Sequence, residues 1–408
     1  MNLRNNLSPF DFFGLLTVII TVIYRPLSVW LFHFDGAERV PTFCCLASFV
    51  LLLPKIRHYL FSKPFVFYLL LAVFQYVNGL AKGSYLNYDQ DGIYLLTIQI
   101  FLPFITSILV CNAAKQNFDY TLKVCTAGLF VYSLISFVLG GLLSSLDRYS
   151  YEINANEIAF YCALSVGLFL LCHIRKIIPR YYLFFALIPL SSVIITASRM
   201  GIGMIAIMFA GFWYIITFKK RISLTRLLSS TALLIVFIVG FLLLMKYAEI
   251  GERISTTTEQ LEDDRLTGTV LDYFGDRGPQ YFISWPYFLK HPLTGIGIGN
   301  WINYNPFGLV CHSEYMVQYL EGGLISFVLY CLFWAFMLKR RHPKRTIPQD
   351  IRLEQARIFL VFVLISILFA NFVLWSYDMY CVFIVYGMAI GLGQTGQKYY
   401  IYKLVPKK

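Results

Sequence analysis

Apolar runs about as long as a bilayer is thick recur along most of this chain, separated by short polar or basic turns. Crossing the hydrocarbon takes roughly 20 apolar residues in a helix. On that criterion about twelve spans are predicted, near residues 11–33, 39–54, 65–80, 93–112, 121–143, 155–174, 181–197, 199–217, 227–247, 318–338, 355–374 and 377–395. The second, third and seventh are short. The first run follows the segment Met1 to Phe10 and lacks a small-residue cleavage site with polar sequence behind it. It therefore reads as a retained span and not as a signal peptide. The seventh and eighth spans form a hairpin turning near Ala197 to Gly201, and one connection, residues 248–317, is long. The pattern predicts an all-α polytopic membrane protein in three parts: helices 1–9 over 1–247, a loop with amphipathic helices over 248–317, and helices 10–12 with a tail over 318–408.

Composition strengthens the membrane reading. Apolar residues make up 58% of the chain, charged residues 14%, and the mean hydropathy is +0.65. That leaves too little polar surface to cover a water-soluble globule of this size. The net charge of +12 is divided among short loops. With the N-terminus inside, Lys55, Arg57, Lys115, Lys123, Arg175, Lys176, Lys219 to Arg221, Lys339 to Arg341 and the Lys407-Lys408 tail all fall on the cytoplasmic side, while the acidic residues gather opposite. Such a bias is an orientation signal; with no basic domain, nucleic acid is excluded as a partner. Deleting any one span would move a basic loop to the acidic side, so both termini are expected in the cytoplasm. The nine cysteines form no CxxC pair and lie almost all within apolar runs, and no two histidines stand at HxxxH or HxH spacing. A disulfide framework or metal centre is therefore not expected, and no cofactor is implied.

Candidate chemistry lies on the outward side. The long loop opens acidic (Glu249, Glu252, Glu259, Glu262, Asp263, Asp264), turns amphipathic around Tyr281 to Phe288, then runs through His291-Pro-Leu-Thr-Gly295-Ile-Gly297-Ile-Gly299-Asn300-Trp301. Its Trp and Tyr content suits the headgroup level, so this part is expected on the membrane surface. The three glycines follow no predicted strand and precede no lysine; they read as a tight turn that lets backbone approach something, and not as a nucleotide cradle. Ionisable groups near the bilayer are costly and hence candidates. Arg199, in Ser198-Arg199-Met-Gly201, could be a snorkelling span marker, and Arg277 a solvated partner of Asp276. Alternatively, both guanidiniums offer planar forks for phosphate on one face of the membrane. His312, beside Ser313 and Glu314, sits where a carboxylate can tune an imidazole to take a proton near neutral pH. Glu314 and Glu321 could orient it or serve as the base themselves. Arg25 in the first span and Asn154 with Asn156 at the start of the sixth are further polar candidates, the asparagines as helix caps or as amides for sugar hydroxyls.

The order Ser198-Arg199, Arg277 with Trp285, His291-Pro292-Leu-Thr-Gly295-Ile-Gly297-Ile-Gly299-Asn300, then His312-Ser313 and Gly323 resembles the bacterial O-antigen polymerase and O-antigen ligase superfamily, most strongly from about residue 196 to 330. The resemblance implies about a dozen spans in the inner membrane, a periplasmic loop and a metal-independent inverting glycosyltransferase of lipopolysaccharide biosynthesis. Its donor would be a glycan on undecaprenyl diphosphate. Carried over by position, Arg199 and Arg277 would hold the diphosphate and His312 would remove the acceptor proton; beside the resemblance, the residues themselves leave Glu314 open as the base and offer Arg25, Asn154, Asn156, Trp285 and Asn300 as substrate-binding candidates. Implied partners are the lipid-linked glycan, the bilayer and a possible chain-length regulator protein. The acidic start of the loop and its lack of a dense basic surface favour a polymerase over a ligase that would grip a phosphorylated lipid A-core. A flippase or transporter is the rival class; it would be expected to show repeats between halves and a site near the midplane, neither of which the sequence offers.

Overall fold

Proline, charge pairing and hydropathy together explain where the helices of this chain start and stop. A computed structural model describes residues 7–27, 39–87, 92–138, 155–196, 198–218, 278–305, 311, 313–339, 351–372 and 379–404. The predicted ninth span, 227–247, lies outside them, as does the whole acidic start of the long loop. The helices are α1 (Pro9–Leu27), α2 (Arg39–Leu60), α3 (Lys63–Ala81), α4 (Gly92–Gln116), α5 (Phe118–Ile135), α6 (Ala155–Arg175), α7 (Leu187–Ile195), α8 (Arg199–Phe218), α9 (Gly278–Lys290), α10 (Gly323–Leu338), α11 (Ile351–Ala370) and α12 (Tyr380–Leu404). Among the described residues, seven helices are long and apolar enough to cross a membrane, and four shorter apolar helices accompany them. No strand occurs among those residues.

The tenth expected span begins as a π-turn and is α-helical only from Gly323, α12 runs on to Leu404, and two further departures have visible reasons. The seventh span is split: Arg180–Ala186 is a 3₁₀ helix and only Leu187–Ile195 is α-helical. Pro189 has no N–H to return to the carbonyl four residues back, so the α ladder cannot continue through Phe185, and the preceding stretch tightens. Helix α2 runs on to Leu60, past Pro54. The continuation carries Lys55, whose ammonium reaches the carboxylate of Asp11 in α1, and so its charge is compensated at the bundle's edge.

The bundle centres on α6, whose apolar residues are buried along almost its whole length, with Ile158, Ala159, Phe160 and Leu164 fully covered. Helix α4 lies along α12, where Gly387 lets the helices close: a Cβ there would stand 2.4 Å from the carbonyl oxygen of Ser107. Close approach through small residues is how helices associate where lipid offers no hydrophobic drive.

Hydrogen bonds and ion pairs sort the helix ends into two groups. At one end lie Lys55 with Asp11, the two-pronged Arg175–Asp119 pair (Nε–Oδ1 2.8 Å, Nη2–Oδ2 2.9 Å), Arg357 near Glu354, and Lys115 with its ammonium 4.1 Å from the Tyr59 ring centre. At the other lie the links between Asn78 and Thr294, Ser198 and Asn156, and Glu314 and Asn371. The candidate site belongs to this second end.

Candidate functional site

Helix α8 begins with Arg199 because the preceding residue locks its first turn. Ser198 is 3% exposed; its hydroxyl donates to the Asn156 side-chain oxygen in α6 (2.8 Å) and accepts from the Gly201 N–H (3.3 Å). Asn156 therefore sits inside α6, past its first residue, and ties it to the start of α8 instead of capping its own helix. Gly201 allows the contact, since a Cβ there would come 2.8 Å from the Cβ of Ala159. Arg199 itself is exposed at this end. On its other flank α8 packs along α11, with Gly203 against Phe369 and Gly211 against Phe362.

The far end of α11 connects this region to the segment after the long loop. The N–H of Glu314 donates to the carbonyl of Asn371 (2.9 Å), and the Ser313 hydroxyl donates to the same oxygen (3.1 Å). Arg199 and Glu314 thus approach the end of α11 along two different elements. Glu314 is 1% exposed and accepts from the Gln318 amide at 2.7 Å. The Gln318 oxygen in turn accepts from the Ser326 hydroxyl (2.5 Å) and from the Gln75 amide of α3 (3.0 Å). This chain of buried polar groups spans the π-turn Val317–Glu321, α10 and α3. Fully connected networks of this kind fix one arrangement of their backbone, because each unmet partner would cost dearly in a low dielectric.

The glycine-rich run is laid across that π-turn. Gly297 N–H donates to the Glu321 carbonyl (2.9 Å), Ile296 N–H to the Leu320 carbonyl (3.1 Å), and Leu324 N–H to the Pro292 carbonyl (2.8 Å). Gly295 has φ +66°, and a Cβ there would stand 2.4 Å from the Glu321 carbonyl oxygen. What these glycines allow the backbone to approach is the chain's own turn. The Glu321 carboxylate, 2% exposed, accepts from the Gly299 N–H (2.8 Å) and the Trp301 N–H (3.0 Å), one on each oxygen. On the loop's other side, the Asn300 amide donates to the carbonyls of Lys82 and Ile296 (3.1 and 2.9 Å), and its oxygen accepts from Asn87 (2.6 Å). The Asn78 amide donates to the Thr294 carbonyl (2.7 Å).

The structure therefore brings Arg199 with Asn156, and Glu314 with Ser313, to one end of the bundle, and it builds Asn300 into the loop's frame. Trp285 lies on α9, 53% exposed, its ring 5.3 Å from that of Phe288, while Ser284 on the buried side meets the Tyr319 hydroxyl. Asn154, Arg277, His312 and the side chain of Arg25 lie outside the described residues. Sequence reasoning passed over Gln75, Asn78 and Asn371, all amides within apolar helices or at their ends. The signal was present, since polar side chains in such runs are expensive and mark contacts.

A family described as O-antigen ligase matches residues 184–319 of this chain. No curated protein matches it significantly. The matched segment starts in the seventh apolar run and contains Arg199, the glycine-rich loop and Glu314, and it supports membership of the O-antigen polymerase and ligase superfamily.

Proposed function

We propose that this chain is an O-antigen polymerase, an inverting glycosyltransferase that moves a glycan from undecaprenyl diphosphate to a sugar hydroxyl of another lipid-linked repeat on the periplasmic face. The observation that carries the reading is the meeting of the start of α8 and the Ser313-Glu314 segment on the end of α11, within or beside the matched region. The acceptor oxygen attacks the anomeric carbon as its bond to the diphosphate oxygen breaks; the proton passes to His312 and undecaprenyl diphosphate departs. Arg199 and Arg277 stabilise the negative charge that grows on the leaving diphosphate, the kind of preorganised electrostatics that supplies the largest share of many enzymatic accelerations. Glu314, buried and bonded to Gln318, suits orienting the histidine better than meeting an acceptor. Activation resides in the donor, so the reaction needs neither nucleotide nor metal.

The second reading is a ligase acting on lipid A-core, favoured by the description of the matching family. Glycan profiling of a deletion strain separates the two. Lipid A-core bearing a single repeat indicates the polymerase, whereas bare lipid A-core with accumulated lipid-linked polymer indicates the ligase. Arg199→Ala, Arg277→Ala and His312→Ala should each abolish chain growth at unchanged protein abundance, a loss of at least about a hundredfold for each stabilising or proton-accepting group. Long-chain glycan preserved in the arginine variants would remove the diphosphate role.

A further inference from the structure

We propose that Glu321 is a positioning residue whose carboxylate clamps the Gly295–Trp301 loop onto the turn following His312, and that transfer requires the loop to be held there. The inference rests on the transferase reading for its catalytic consequence, but the clamp itself stands on geometry. Both carboxylate oxygens are engaged by backbone N–H groups of the loop, at Gly299 and Trp301. The side chain is 2% exposed, which leaves no face for an acceptor hydroxyl and removes Glu321 from the candidate bases. Its main-chain carbonyl takes a third loop N–H, from Gly297.

The clamp is asymmetric in a way that gives the carboxylate its importance. On the α3 side the loop is held by neutral amides, Asn87 to Gly299 at 3.0 Å at an exposed edge and the buried Asn300 to the Lys82 carbonyl at 3.1 Å. On the Glu321 side it is held in the dry interior by a group that can accept at both oxygens, where an N–H left without a partner is costly. Replacing the carboxylate with an amide turns one acceptor into a donor facing an N–H. The Gly299 or Trp301 N–H would then lose its partner on the buried side, and the loop around Ile298 would be held only by the main-chain bonds to Leu320 and Glu321 and by the amides of the α3 side. The π-turn that carries Glu321 also carries Gln318, which bonds to Glu314, so loop, turn and the segment after His312 form one frame.

The test uses the full-length protein and two readouts. In purified protein, the thiol of Ile298→Cys, a position 2% exposed, reports loop release by its rate of maleimide modification. Adding Glu321→Gln should raise that rate at least tenfold, and Glu321→Asp should give a smaller rise. In cells, Glu321→Gln without the reporter should lose chain elongation while keeping wild-type abundance. An unchanged modification rate in Glu321→Gln overturns the clamp. A raised rate with elongation intact overturns the positioning role and leaves the transferase reading standing. If the wild-type protein elongates no glycan, that reading fails while the modification rate still decides the clamp.

Discussion

At the scale of the residue, the most demanding positions are glycines that face the chain's own carbonyls. Gly295 adopts φ +66°, and its missing Cβ is what allows the Glu321 carbonyl to approach. Gly295→Ala adds a left-handed strain of roughly 1–2 kcal/mol to a contact that backbone atoms cannot relieve. It should therefore destabilise the protein by about 2 kcal/mol or more, read as a lowered thermal midpoint in detergent. Leu293, two residues earlier and 58% exposed, provides the comparison: Leu293→Ala should stay within about 0.5 kcal/mol. An equal effect at the two positions would mean that the close backbone contact does not carry the loop. Asn300 shows why such roles escape a reading of the chain alone. Its amide partners, Lys82 and Asn87, lie more than two hundred positions away, and no local pattern links an asparagine after a glycine turn to the end of a distant helix.

At the scale of the element, hydropathy told most of the story wherever burial and lipid exposure demand the same residues. Helices α4, α6, α8 and α11 lie close to where their apolar runs placed them. The departures arose where a second force competes with hydropathy: backbone hydrogen bonding at Pro189, which splits the seventh span, and charge pairing at Lys55, which lengthens α2. In the site, Ser198-Arg199, the glycine run and Ser313-Glu314 were visible as local motifs. The network linking Glu314, Gln318, Gln75 and Ser326 was not, because it is assembled from three elements. Packing between α8 and α11 makes its own prediction. A Cβ at Gly211 would stand 2.4 Å from Cγ of Phe362, so Gly211→Leu must push the two helices apart. Because α11 also anchors Glu314, the variant should cost about 3 kcal/mol or fail to accumulate, and membranes that contain it should lose chain elongation together with stability. Normal accumulation and elongation would show that the α8–α11 spacing does not govern the site.

At the scale of the whole molecule, the sorting of contacts into two ends makes the orientation testable. Lys63 is exposed near the end that holds the Lys55–Asp11 and Arg175–Asp119 ion pairs, and Asn303 is exposed at the end that holds Arg199. If basic loops face the cytoplasm, a membrane-impermeant thiol reagent applied to intact spheroplasts should modify Asn303→Cys and spare Lys63→Cys until the membrane is opened. The reverse pattern would put the site on the cytoplasmic side and end the proposal of periplasmic transfer. Asp11, at the ion-paired end, has a consequence for how the molecule is made. Its carboxylate is 1% exposed and is held by Lys55 of α2 and, at 2.6 Å, by the Asn112 amide of α4. Ribosomal synthesis delivers these groups in sequence, so α1 must wait with an uncompensated acid until α2 arrives, and its full coordination is complete only when α4 has been inserted. Asp11 therefore ties the maturation of α1 to the arrival of α2 and α4, and an interruption after α2 should leave the insertion machinery holding an α1 that has only part of its coordination.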